Sequence, residues 1–299
     1  MQNEIQSEKP HSEIPPLVPT TSGLGRNDRR GGTAPGEPII RLVNVWKEFG
    51  GNEVFRDLTL AFRRAATTVV LGPSGVGKSV MLKLILGLLK PDRGRIYIDG
   101  TDTTDLTERD LVPIRTRFGM VFQGAALFDF LPVRENVAFA LREHKRLGED
   151  EVERIVREKL AMVDLAGTEN LWPEELSGGM KKRVGLARAL AMDPEVILYD
   201  EPTTGLDPVT ADTINEMILK CQRKLQTTSI VVTHDMASAY KVGDRLVMLH
   251  EGQIIADGTP EEIRANGNAR VQRFVRGDAM LSADNPGTKG QRDEGTKGA

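Results

Sequence analysis

The stretch Thr67-Thr68-Val69-Val70-Leu71-Gly72-Pro73-Ser74-Gly75-Val76-Gly77-Lys78-Ser79 decides how this chain is read. A short β-branched run passes into a glycine-rich loop, and an apolar helical stretch from Lys78 to Leu89 follows. The loop fits the spacing G-x-x-x-x-G-K-[ST] in the setting it requires, after a strand and before a helix. Each residue type has a chemical reason. Gly72, Gly75 and Gly77, with Ser74 among them, let the backbone turn successive N–H groups inward around a phosphate. The helix that follows opens with unpaired N–H groups and a positive dipole end, which favour an anion. Lys78 is expected to reach the β- and γ-phosphates, and the Ser79 hydroxyl to bind Mg²⁺. The loop therefore predicts binding of a nucleoside triphosphate.

Working outward, the strand Val196-Ile197-Leu198-Tyr199-Asp200 is followed at once by Glu201. An acidic residue ending a buried strand beside a phosphate loop is where a P-loop NTPase holds its metal. Asp200 is expected to hold Mg²⁺ through water, and Glu201 to polarise the water that attacks the terminal phosphate. Residues 119–122 and 229–233 are further continuous apolar runs, as parallel strands buried on both faces require. A turn at 91–94 leads into a strand at 95–99, and a hairpin pairs 245–250 with 253–256. Strands alternating with helices imply a layered α/β fold. Residues 133–176 carry no strand signal and form the heart of a helical insertion spanning about 125–187.

Composition limits the partners. The 40 Lys and Arg against 43 Asp and Glu give a formal net charge of −3, a poor match for nucleic acid phosphates. No uncharged apolar run approaches the roughly 18–20 residues of a membrane span, and the N-terminus lacks a basic-then-apolar signal pattern. Cys221 is the sole cysteine, which excludes an internal disulfide and suits a reducing compartment. A cytoplasmic chain is expected, joined to any membrane only through a partner. Pro10, Pro15, Pro16, Pro19, Pro35 and Pro38 crowd the start, and no aromatic precedes Trp46 or follows Phe274. The ends, 1–38 and 277–299, are expected to be disordered extensions of one domain over 39–276.

Leu176-Ser177-Gly178-Gly179-Met180 resembles the signature sequence of ABC-type ATPases, and other marks of that family stand around it in order. Gln123 follows a strand as the family's Q-loop does. Gly205-Leu206-Asp207 resembles the D-loop, Thr233-His234-Asp235 resembles the switch histidine, and Phe49 stands where the family sets an aromatic against adenine. The resemblance covers residues 39 to about 276. It implies an ABC-type P-loop core with a mostly parallel sheet, an N-terminal antiparallel β part and a helical insertion. It implies ATP and Mg²⁺ as ligands, with Gln123 a contact for metal and water, His234 beside the γ-phosphate, and Phe49 and Asp207 at the nucleotide. Ser177, Gly178 and Gly179 open a helical stretch reaching about Ala191, and so present a hydroxyl, N–H groups and a helix N-terminus to an anion. In the family the signature of one subunit closes on ATP held by the other, so a homodimer around two MgATP is implied. Met180 stands where many members carry glutamine; ATPase activity is expected to survive the difference. His11, His144 and His250 have no comparable support and read as surface or packing residues.

The stretches 118–129 and 135–144, with 268–274, are similar to the ATP-binding subunits of Mla-type (Mkl, Mce-associated) systems, which move lipids between bacterial membranes. That similarity implies an integral membrane permease and Mce-domain lipid-binding components as partners, and a peripheral place on the cytoplasmic face of the inner membrane. Importers of amino acids share much of the same stretch and remain an alternative, as does a soluble regulatory ATPase with no permease. Some of Leu127, Phe128, Phe130 and Leu131 are expected to line a groove for a permease helix, with Phe128 foremost, and the others to pack within the insertion.

Overall fold

The computed structural model describes residues 38–277. The two expected extensions, 1–38 and 277–299, lie outside the described residues except for Pro38 and Gly277. β1 (Pro38–Phe49) and β2 (Asn52–Arg63) form a hairpin about Gly50 and Gly51, and β3 (Thr67–Leu71) runs into α1 (Lys78–Ile85). Next come β4 (Arg93–Ile98), β5 (Thr101–Asp102), α2 (Glu108–Arg115) and β6 (Phe118–Val121). The helical part holds α3 (Val133–His144), α4 (Glu149–Met162) and α5 (Gly178–Leu190). After it come β7 (Val196–Asp200), α6 (Pro208–Leu225), β8 (Thr228–Thr233) and α7 (Met236–Val242). The hairpin β9 (Arg245–His250) and β10 (Gln253–Gly258) follows, then α8 (Pro260–Arg264) and α9 (Ala269–Arg276).

Two sheets result. One is antiparallel in the order β2-β1-β4-β5; the other runs β10-β9-β3-β8-β7-β6 and is parallel except for β10. Every residue of β3 and β8 is buried, which is why both read as unbroken apolar runs rather than alternating ones. Alternation along β3 sends Val70 to one face, where it packs with Phe55, Phe62, Met81 and Leu82 beneath the antiparallel sheet. Val69 and Leu71 point to the other face and join Leu141, Leu160, Val184, Leu190 and Ile218 from the helices. The parallel register then determines the site. Because β3, β8, β7 and β6 are successive neighbours, their C-terminal ends lie along one edge of the sheet.

Three local differences from expectation have physical causes. α1 stops at Ile85, short of Leu89, because Gly87 turns left-handed at φ 65° and Arg115 donates to the Leu86 and Gly87 carbonyls at 2.8 and 3.1 Å. The helical part contains an irregular segment after Val121, organised by buried Asn136, whose amide exchanges hydrogen bonds with the Phe128 backbone and donates to Leu131 O. Thirdly, Gly94 belongs to a strand, since β4 already begins at Arg93.

Gly94 sits at φ 90° where the β1–β4 register shifts between Val43 and Trp46, and a Cβ there would overlap the Val43 and Asn44 carbonyl oxygens. Gly94→Ala is therefore expected to destabilise the fold by about 2 kcal/mol, combining backbone strain with overpacking. A lowered denaturant midpoint at unchanged slope checks it; an unchanged midpoint refutes it. No helix among the described residues is long and apolar enough to cross a membrane.

Candidate nucleotide site

The phosphate loop leaves β3 at its C-terminal end and closes onto α1 through Gly77, the helix N-cap, at φ 103°. A side chain at Gly77 would strike Val54 and the Phe55 ring of β2, so β2 holds the loop from behind. The first turn of α1 carries no acidic residue, leaving its positive end uncompensated. Lys78 is 6% exposed, and its Nζ donates to Gly72 O at 2.7 Å and Pro73 O at 3.1 Å.

Two neighbouring strand ends bring the remaining chemistry to this lysine. β8 adjoins β3, and β7 adjoins β8, so His234 and Glu201 emerge beside the loop. Glu201 Oε1 lies 3.4 Å from Lys78 Nζ, while Oε2 accepts from Thr204 Oγ1 at 3.0 Å and lies 2.9 Å from His234 Nδ1. An ionised carboxylate only accepts, so Nδ1 carries the proton and His234 Nε2 stays available to another partner. Glu201 itself is held at φ 50°, a left-handed conformation that costs a non-glycine residue roughly 1–2 kcal/mol. Its N–H donates to Val232 O across the sheet at 2.9 Å.

The two adjacent acids are driven apart electrostatically. Burial pushes the Asp200 carboxyl above the ordinary range, against the opposing hydrogen bond that Ser79 Oγ donates to its Oδ1 at 2.9 Å. Burial works the same way on Glu201, but the hydrogen bond from His234, the charge of Lys78 and the Thr204 hydroxyl outweigh it and hold its carboxyl below the ordinary range. Opposite displacements of paired carboxyls are a recurring feature of sites that assign them different tasks. Ser79 and Asp200 offer hard oxygen donors of the kind Mg²⁺ prefers. Among the described residues no group of three or more His, Cys, Asp or Glu side chains is arranged for a metal, so a divalent ion here would need phosphate oxygens to complete its shell.

The other expected residues lie outside this cluster. Gln123 is exposed in the turn after β6, one strand beyond β7, and makes no hydrogen bond to Lys78, Ser79 or Asp200. Ser74 is an exposed residue of the loop. Phe49 ends β1 with its ring 45% exposed and Lys47 Nζ 5.1 Å from the ring centre. Asp207 caps α6, accepting from Val209 N and Thr210 N, each at 3.0 Å. Ser177 caps α5 by accepting from Met180 N at 3.2 Å, and Gly178 and Gly179 open that helix, with Gly179 close against Thr210. The chain thus gathers Lys78, Ser79, Asp200, Glu201 and His234, with no hydrogen bond from Ser177 to that cluster.

Residues not foreseen from the sequence support these loops. Lys182, 7% exposed on α5, donates to the carbonyls of Pro202 and Thr204 at 2.8 Å and approaches Glu201 O at 3.5 Å. Arg188, farther along the same helix, donates to Ala125 O and Ala126 O at 2.8 and 2.7 Å. A charged residue within a helix ordinarily reads as part of a solvated face, so the sequence carries no signal for either. The aromatic surface also differs from expectation. Phe130 is 74% exposed, whereas Phe128 packs between Phe130 and Phe139 at ring separations of 5.8 and 4.8 Å. Phe130 and Phe139, rather than Phe128, form the outer face, and Leu127 packs toward the core.

A phosphate loop, an acid pair and a histidine on adjoining ends of a parallel sheet define a P-loop nucleotide-binding protein. The family model described as ABC transporter matches residues 55–204, and the chain belongs to that family. It is 43% identical to the probable ribonucleotide transport ATP-binding protein Mkl of Mycobacterium tuberculosis over 80% of this chain and 66% of that protein, just under two thirds of its length. It is 40% identical to the intermembrane phospholipid transport system ATP-binding protein MlaF of Haemophilus influenzae, over 81% of this chain and 91% of that one. Among solved structures, a dimeric ATP-binding cassette in a post-hydrolysis state, bound to ADP and Pi, is 35% identical with a TM-score of 0.69, covering 74% of this chain and 98% of its own.

Proposed function

We propose that this chain is the ATP-hydrolysing subunit of an ABC transporter, acting as a homodimer beneath an integral membrane permease that moves phospholipid or a related lipid between bacterial membranes. The observation that carries the reading is the Glu201 carboxylate, held 3.4 Å from Lys78 and 2.9 Å from His234 at the mouth of the phosphate loop. In this reading Gly72, Ser74, Gly75 and Gly77 cradle phosphates with their N–H groups, and Lys78 turns its ammonium from the loop carbonyls to the β- and γ-oxygens. Ser79 and Asp200 hold Mg²⁺, with Gln123 approaching when its turn moves inward. The ion supplies charge neutralisation between the phosphates. Glu201 takes the proton of the attacking water, and His234, oriented through Nδ1, stands beside the terminal phosphate. Phe49 stacks on adenine.

Ser177, Gly178 and Gly179 serve the nucleotide of the opposite protomer, with Asp207 at the same seam. Ser177 caps its own helix and makes no hydrogen bond to the Lys78 cluster, which supports this division. Residues 39–276 form the functional cassette, at the cytoplasmic face of the inner membrane. The exposed Phe130 and Phe139 face receives a permease helix, and Mce-domain components complete the lipid path.

The name MlaF supports phospholipid as cargo and the name Mkl points to ribonucleotide; the match takes in 91% of MlaF against 66% of Mkl, which favours the first. Two measurements test the proposal. The purified chain with magnesium and ATP is expected to release phosphate, and its complex with the membrane partner to yield bound phospholipid on extraction. Absence of hydrolysis with the partner present refutes the ATPase reading, and a bound nucleotide or amino acid cargo in place of lipid refutes the lipid assignment. Phe130→Asp is expected to leave the isolated chain's ATPase within twofold while cutting recovery of the permease at least tenfold. Unchanged recovery removes this face from the interface.

A further inference from the structure

Lys182 deepens the reading just given and rests on Glu201 as the base. A buried ammonium is costly unless its donors are satisfied, and desolvation lowers the Lys182 pKa from its ordinary value. No salt bridge joins Lys182 to a carboxylate among the described residues. Its hydrogen bonds instead go to carbonyl oxygens of one short segment, Glu201 to Thr204. That segment contains the left-handed turn at Glu201, φ 50°, and the hydroxyl of Thr204 that contacts the Glu201 carboxylate at 3.0 Å. Backbone in such a conformation persists only where its surroundings over-determine it. Here one restraint comes from β8, through Val232 O, and a second comes from α5, through Lys182.

α5 is also the helix that Ser177 caps and that Gly178 and Gly179 open, about one turn from Lys182. A displacement of the signature end is thereby transmitted to the backbone that aims Glu201. We infer that Lys182 is a positioning residue for the hydrolytic reaction: its ammonium clamps the carbonyls that follow Glu201, fixing the direction of that carboxylate and linking it to the signature helix. The Lys182 ammonium bonds the carbonyls of residues 201, 202 and 204 and makes no hydrogen bond to the phosphate loop. Its loss therefore affects turnover rather than nucleotide affinity.

The test uses the purified full chain with magnesium and ATP, and its membrane partner where turnover requires one. Lys182→Met keeps length and burial but removes the donors. It is expected to lower kcat at least tenfold with the ATP dissociation constant within twofold, and Lys182→Arg to recover at least a third of the lost rate. In a Glu201→Gln background, where the aimed carboxylate is gone, adding Lys182→Met is expected to change the residual single-turnover rate less than twofold. An equal fall in both backgrounds, or wild-type kcat in Lys182→Met, overturns the positioning role while leaving Glu201 as base. Wild-type turnover by Glu201→Gln alone would instead overturn the base itself. Should Lys182→Met fail to fold, the same comparison is made with Lys182→Gln, which keeps a shorter, uncharged amide NH₂ in place of the ammonium.

Discussion

Replacing Glu201 with Gln is expected to lower ATP turnover by a factor of about 10²–10⁴, the usual contribution of a positioned general base, while nucleotide stays bound. The amide nearly matches the carboxylate in shape, so contacts with Thr204 and His234 survive in part, and Lys78 remains free to meet phosphate. What disappears is the capacity to accept a proton from water. The pH dependence carries the same signature. Glu201 is held below the ordinary carboxylate range, so it stays ionised at neutral pH and the base is lost only as pH falls below that range. Phosphate release measured beside retained nucleotide checks the prediction, and ordinary release by this variant removes Glu201 from the role.

The contrast between what the sequence disclosed and what it hid follows from the range of each interaction. The loop at 72–79 and the acid pair at 200–201 were legible because their chemistry is local: glycines, a lysine and a strand-end carboxylate need only their neighbours. The continuous runs of β3, β7 and β8 disclosed burial on both faces, hence a parallel sheet, though not the order β3-β8-β7 that brings Lys78, His234 and Glu201 together. That order depends on which helices cross which face, a long-range choice. Gly94 was read as the end of a turn because a glycine after Pro91 and Asp92 looks like one; the bulge it serves is made by β1, some fifty residues earlier in the chain. Lys182 and Arg188 were hidden for the same reason. Both bind backbone carbonyls of distant loops, and a carbonyl leaves no trace in the side-chain pattern. Ser177 and Asp207 were recognised as functional positions, but their visible work within one protomer is helix capping.

The same cluster predicts that Lys78→Ala acts on binding and on stability at once, and that the two effects separate with pH. A lysine–phosphate contact contributes about 1.5–3 kcal/mol, so ATP affinity is expected to fall roughly tenfold to more than a hundredfold, read by calorimetric titration. Lys78 is also the nearest cation to Glu201, and both side chains are largely buried, 6% and 12% exposed. Removing one partner of such a pair leaves a charge without compensation. With His234 and Thr204 still in place, the expected loss of folding stability at pH 7 is about 1–3 kcal/mol.

The sign of its pH dependence can be fixed. In the native chain the folded pKa of Glu201 is depressed, so its stabilising contribution is present above the unfolded value of about 4.3 and fades as pH falls through the folded one. In Lys78→Ala the lowering influence of the ammonium is gone, so the folded pKa of Glu201 rises above its native value while His234 and Thr204 still oppose burial. The penalty then exists only while Glu201 is ionised, and shrinks as pH drops through that raised value. Adding Glu201→Gln removes the charge altogether. The double variant is therefore expected to lose less stability than the sum of the two single variants at pH 7, and that shortfall to fade in acid, while binding ATP no better. Denaturant midpoints of the four proteins at pH 7 and pH 4.5 decide the matter. Strictly additive losses at both values mean that the lysine and the glutamate do not sense one another, and that the contact at 3.4 Å has no part in holding the base.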